Sequence, residues 1–269
     1  MEIIDHRLVG SLHVDLIDRA NAAAELTEGA DSVGDAFQTS TIEALLDGAY
    51  DGDLTFGELL AHGDLGIGTI DHLEGESVIL DGEAWVFEST GRVRHVADDE
   101  KTPFAVVCRF VAEASAATGP CADLAQVTAM IDAAAPEGAS VLAVRIDGTF
   151  ASARVRSVAA QTRPYPPLRD VVAHQQEWEL VEFTGTVVGF RFPDRTSGLE
   201  VPGWHLHLLT DDRTAGGHLM DLAVTSGTLH VQATEALHVE VPDTVTAAAG
   251  ATGTDRTAEI DAVEGRGPG

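Results

Sequence analysis

Residues 204–218 read WHLHLLTDDRTAGGH and carry three of the chain's eleven histidines. Side chains alternate faces along a strand, so His205 and His207 point the same way, with Leu206 and Leu208 behind them. The DDRTAGG run is turn chemistry. A hairpin symmetric about Asp212–Arg213 sets His207 directly opposite His218, with Cβ atoms about 4.5–5.5 Å apart. Three imidazoles then converge from two strands. Three neutral nitrogen ligands with a coordination position left open are the pattern of catalytic rather than structural zinc. The competing readings are a solvated sheet face and a cupin-like iron or zinc site. Cupin sites add a glutamate soon after HxH, whereas no Glu occurs between Glu200 and Glu235.

Outward from this hairpin the chain reads mainly as strands. WELVEFTGTVVGFRF, GHLMDLAVTSG and TLHVQATEALHVEVP are short runs joined by Gly- and Asp-rich turns, an antiparallel sheet or small barrel. Upstream, LGIGTIDHL, ESVILDGEAWVFEST, GRVRHV and PFAVVCRFV are strands, and SVLAVRIDGTFASARVRSV reads as a hairpin folded at Asp147–Gly148. Two short helices are expected in residues 41–64, broken at Asp-Gly pairs, and one more in 121–134. QTRPYPPL (161–168) holds three prolines and is the linker candidate. The expected fold is α+β, mostly β: two β-rich subdomains, a mixed sheet and a small antiparallel sheet or barrel, with the metal site between them. The boundaries are 1–40, an acidic leader that orders only in part; 41–160, an N-terminal α+β subdomain; 161–168, the linker; and 169–269, the C-terminal subdomain with the metal site and an Ala-, Thr- and Gly-rich tail.

The charge is unusual. Sixteen basic residues stand against 44 acidic ones, a net −28, and Lys101 is the single lysine. Such a surface repels nucleic acid and anionic membranes. It fits a salt-rich cytoplasm, where a short Debye length screens self-repulsion. No run reaches the ~18 apolar residues of a membrane span, and MEIIDHRLVGSL lacks a signal-peptide core. Cys108 and Cys121 have no CxxC spacing, which argues against a cysteine zinc site.

TIEALLDGAYDGDLTFGELLAHGDLGIGTIDHLEGESVILDGEAWVFESTGRVRHV with KTPFAVVCRF, then IDGTFASARVRSV, QTRPYPPL and GWHLHLLTDDRTAGGH, closely resembles the acetolactate decarboxylases from about residue 40 onward. The resemblance implies a zinc enzyme, often dimeric, that converts 2-acetolactate, a 2-hydroxy-3-oxo acid, to acetoin and CO2 through a metal-stabilised enediolate. It implies zinc on His205, His207 and His218. Catalytic roles fall on Glu76, Arg156 and Glu264, and substrate contact falls on Thr69 and Arg156. Arg154 competes with Arg156 and Glu259 with Glu264, and the proton donor is either Glu76 or Glu264. A cupin-like oxygenase or isomerase, and a non-catalytic metal- or ligand-binding protein, are the alternative functions.

Overall fold

The computed structural model of the protein describes residues 11–15, 34–242 and 256–264. The rest of the expected leader, 1–10 and 16–33, and the stretch 243–255 lie outside the described residues. Two large sheets dominate. The first has eight strands in the spatial order β1 (Ser11–Asp15), β15 (Ala236–Glu240), β2 (Asp35–Thr39), β9 (Ala105–Cys108), β4 (Leu65–Thr69), β5 (Glu76–Leu80), β6 (Glu83–Phe87) and β7 (Val93–His95). It is mixed, because β15 and β2 run parallel and its other neighbours antiparallel. Every residue of β4 and β9 is buried, which is why these segments read as continuous apolar runs rather than alternating ones.

The second sheet is antiparallel: β10 (Ala114–Thr118), β14 (Gly216–Thr234), β11 (Val141–Ser157), β12 (Gln176–Phe192) and β13 (Gly203–Thr210). β13 also pairs with β14, so β11 to β14 close into a ring. The mostly-β architecture and the mixed-plus-antiparallel pair of sheets match the sequence reading. The sheets do not divide at 161–168, however. β10 and β11 precede that run yet belong to the second sheet, and β15 follows it yet joins the first.

A second expectation fails at Asp147–Gly148. No turn forms there, and β11 runs unbroken for 17 residues. Gly148 pairs with Gly185 of β12 on one side and Gly227 of β14 on the other. A Cβ at position 148 would fall 2.5 Å from the Ser226 carbonyl oxygen. The glycine answers a close approach of backbones, not a reversal of the chain.

The main core lies between the sheets, where Ile67, Val78, Phe87 and Val106 of the first meet Val188, Phe190 and Leu209 of the second. Helix α2 (Phe56–His62) covers the other face of the first sheet through Phe56 and Leu59. Its start is fixed by a capping box between Thr55 and Glu58. A short two-stranded ladder, β3 (Leu54–Thr55) with β8 (Lys101–Thr102), leads into it. Helix α3 (Leu124–Ala134), capped by Asp123, lays Val127 and Ile131 on the second sheet. The remaining helices gather at one place. α1 (Ile42–Leu46), α4 (Leu168–Val172) and α5 (Thr257–Val263) share an apolar cluster with Leu73, Phe104 and Val201. The proline-rich run packs against this end, where Tyr50 donates to the Pro166 carbonyl at 2.9 Å.

Candidate metal centre and active site

The β13–β14 hairpin forms as its symmetry requires, with His207 opposite His218. Its turn is tied by the Thr210 hydroxyl and Thr214 amide, which both donate to Asp212 Oδ1. Gly216 allows the return strand to seat. A Cβ there would lie 2.2 Å from the Phe87 ring.

The three imidazoles converge as a result. Ring centroids of His205, His207 and His218 are 5.0–5.4 Å apart, and one nitrogen from each lies within 4.8 Å of the others. All three rings are buried. Nε2 of His205 and Nε2 of His207 are 3.2 Å apart. His207 Nδ1 lies 2.7 Å from the Ser77 carbonyl on the first sheet. That acceptor fixes the proton on Nδ1 and leaves the Nε2 lone pair directed at the cluster. Burial first, and neighbouring His205 second, hold the proton affinity of His207 well below the usual imidazole range. A cluster of neutral, dehydrated lone pairs fits a divalent cation.

A second group, Asp51, Asp71 and His72, also brings ligand-type atoms together. There the half-exposed Asp51 is already engaged by Arg163 and by Tyr165, so its charge is spent.

Two carboxyl groups flank the histidines. Glu76 Oε2 is 3.8 Å from His207 Nε2, and Glu264 Oε2 is 3.7 Å from His218 Nε2. Glu76 opens β5, and its amide donates to the Ser157 hydroxyl oxygen at 3.4 Å. Burial pushes the Glu76 carboxyl up to about 7, with Arg156 opposing the rise and Glu264 adding to it. Glu264 follows directly on α5, which docks through Ile260 and Val263. Glu259, its competitor, instead accepts from Arg256 at 2.9 Å within the same helix.

Arg156 pairs in register with His218 across β11 and β14. Its side chain is 3% exposed, whereas that of Arg154 is 44% exposed and bonds Glu177. Arg156 Nη1 donates to Gln175 Oε1 at 2.7 Å and to the Val263 carbonyl at 2.5 Å. Its Nη2 lies 4.0 Å from Glu264 Oε1. Its Nε is buried with no hydrogen-bond partner among the described residues, a donor left for something that enters the site. Thr69 is buried on β4, and its hydroxyl donates to the Gly75 carbonyl at 2.6 Å.

Thr69, Glu76, Arg156, His205, His218 and Glu264 line one pocket, and His207 completes the metal-competent cluster behind it. Much of the remaining lining is apolar, with Ile42, Leu45, Phe104, Leu168 and Val263. The structure thus brings all seven residues named from the sequence to one place. Sequence reasoning missed Gln175, Ser157 and the Ser77 carbonyl, which hold Arg156, Glu76 and His207. Neither a polar residue at a strand entrance nor a backbone carbonyl carries a local signal. It also missed Glu200, a fully buried acid whose Gly-Leu-Glu-Val-Pro-Gly context reads as a solvated loop.

Residues 36–248 match the family model described as alpha-acetolactate decarboxylase. The chain is 41% identical over 209 residues to the alpha-acetolactate decarboxylase of Methylococcus capsulatus, covering 78% of this chain and 80% of that one. It is 39% identical over 222 residues to that of Methanosarcina mazei, covering 82% and 76%. It is similar in structure to the alpha-acetolactate decarboxylase of Bacillus subtilis strain 168, with a TM-score of 0.82 at 30% identity, covering 86% of this chain and 99% of that chain.

Proposed function

The chain belongs to the alpha-acetolactate decarboxylase family, and from that premise we propose that it is a zinc-dependent carboxy-lyase that converts 2-acetolactate to acetoin and CO2. The observation that carries the reading is the convergence of the three buried histidines with Glu76, Glu264 and Arg156 on one pocket.

Acetolactate is a β-keto acid that also carries an α-hydroxyl. Loss of CO2 sends an electron pair toward the ketone oxygen, and one proton must then replace the carboxylate on carbon. His205, His207 and His218 would hold the metal, which when bound supplies Lewis acidity toward the substrate's oxygens. Three neutral ligands leave the ion its full charge, an attraction for an anionic substrate in a protein of −28.

The remaining roles belong to the chain. Arg156 offers its free Nε–H, with Nη2 beside it, to the substrate carboxylate or to the oxyanion that develops. Gln175 and the Val263 carbonyl keep its guanidinium from turning away. Thr69 positions the substrate from the β4 side of the pocket. Glu76 holds a proton near neutral pH because burial disfavours its charge. Either Glu76 or Glu264 supplies the one proton that carbon takes up, which solvent then restores. The apolar lining receives the methyl groups and excludes water.

A cupin-like site would place a carboxylate among the ligand atoms. The clustered ligand atoms belong to histidines alone, and both glutamates stand further out, which favours the decarboxylase. The same reading sets the enzyme to work in a salt-rich cytoplasm as a homodimer. The direct test incubates the purified protein with racemic acetolactate and measures acetoin. Formation supports the assignment, and its absence from folded, zinc-loaded protein rejects it.

A further inference from the structure

Glu200 lies in the short run between the helical turn Asp194–Thr196 and β13. That run is pinned from two elements. The Ile42 amide donates to the Leu199 carbonyl at 3.0 Å, the Glu43 amide donates to Gly198, and the Gln38 side chain donates to Leu199 at 2.8 Å. The backbone that carries Glu200 is therefore fixed, and the residue is 0% exposed. Its Oε2 accepts from the Val201 amide at 2.9 Å. Its Oε1 is buried with no hydrogen-bond partner, and no basic side chain pairs with it among the described residues. A carboxylate so placed has lost its hydration and gained one backbone donor in return. Such surroundings favour the neutral acid over the carboxylate.

The position connects this acid to the pocket. Val201 is packed into the same apolar cluster as Ile260 and Val263 of α5, the helix that ends at Glu264. We propose that Glu200 is a positioning residue for the reaction: a buried carboxyl that must stay protonated for Glu264 to keep its place beside His218, so that its ionisation shuts the site at alkaline pH. The proposal rests on the decarboxylase reading.

Among the described residues no basic side chain is paired with Glu200. From α1 the titratable neighbour of the run is Glu43, itself acidic, and β2 presents the neutral Gln38. From α5 it is Glu264, while Arg256 is bonded to Asp47 and Glu259. Arg195, on the preceding turn, donates to Ser140. Burial pushes the Glu200 carboxyl up to about 8, and the negative field of Glu264 adds to the rise. Ionisation would set a second negative charge near Glu264 and work against the hold that Arg156 and His218 have on it.

The test compares the pH dependence of kcat and of the melting temperature in the zinc-loaded protein and its Glu200→Gln variant. Both proteins lose kcat as Glu76 ionises near pH 7, and the further, steeper loss that sets in toward pH 8 in the wild type is absent from Glu200→Gln, with KM unmoved. The wild type also loses melting temperature between the ordinary carboxylate range and about pH 8, and the variant loses less. Superimposable profiles in both measurements overturn the proposal. Infrared spectra in the Glu76→Gln background need no substitution at 200 and read the protonated carboxyl directly. A carboxylic-acid band that persists to about pH 8 supports the proposal, and a band lost in the ordinary range sinks it. The melting and infrared readouts stand even for a protein that makes no acetoin, so failure of the decarboxylase reading is separable from failure at Glu200.

Discussion

The Nδ1–H of His207, on the second sheet, donates to the carbonyl of Ser77, on the first, at 2.7 Å. One hydrogen bond thereby fixes the tautomer of a candidate ligand and ties it to the strand that begins with Glu76. His207→Ala removes the ligand and this tie together. Zinc content, measured by elemental analysis, and acetoin production should fall in parallel. A variant that keeps its zinc contradicts the assignment of this cluster, and one that loses zinc and keeps its rate contradicts the role given to the metal.

Glu76→Gln separates proton transfer from metal holding. The amide keeps the size of the side chain and cannot supply the proton. Turnover should fall by about 10²–10⁴-fold, the usual contribution of a positioned acid or base, while zinc stays bound. Equal loss of rate and zinc would show that Glu76 serves the ion rather than the reacting carbon.

Helix α5 delivers Glu264 and offers the Val263 carbonyl to Arg156, so its docking is part of the site. Ile260 is 1% exposed in the apolar cluster that receives the helix. Truncation to alanine costs about 2–5 kcal/mol where the lost packing is global. Here it should act locally, lowering kcat with zinc content unchanged, and proteolysis should cut the segment sooner. Unchanged kcat in Ile260→Ala would remove α5 from the active site.

Much of this site was legible because its information is local. The symmetric DDRTAGG turn fixes the register of β13 against β14, and with it the meeting of His207 and His218. The Asp147–Gly148 pair misleads for a physical reason. A glycine that reverses a chain and a glycine that lets three backbones crowd together look alike in sequence, and only the register of Gly185 and Gly227 distinguishes them. The interleaving of the sheets is equally silent, since β15 joins β2 through pairing distant in the chain. Gln175 and Glu200 act through partners 19 or more residues away and leave no spacing to read.

Raised carboxyls also set a sign for stability. Glu76 and Glu200 ionise less readily in the fold than in the unfolded chain, so the folded state binds more protons. Their contribution is full below the ordinary carboxylate range and is lost as pH rises, through about 7 for Glu76 and about 8 for Glu200. Asp51, Glu100 and Glu177 shift the opposite way but titrate below this interval. His207, whose proton affinity burial depresses, adds stability as pH rises past the ordinary imidazole range and offsets part of the loss from the two acids. Metal-free protein should therefore melt at a lower temperature at pH 8 than at pH 6, a difference that Glu76→Gln reduces. A melting temperature that rises across this interval contradicts the placement of both acids.

The central claim is that three histidines hold the ion on which the decarboxylation depends. Its most direct measurement is acetoin formed from racemic acetolactate by one preparation as purified, after chelation, and after zinc is restored. Acetoin should disappear on chelation and return with zinc, with no recovery in His207→Ala. Acetoin formed at an undiminished rate by fully chelated protein would contradict it.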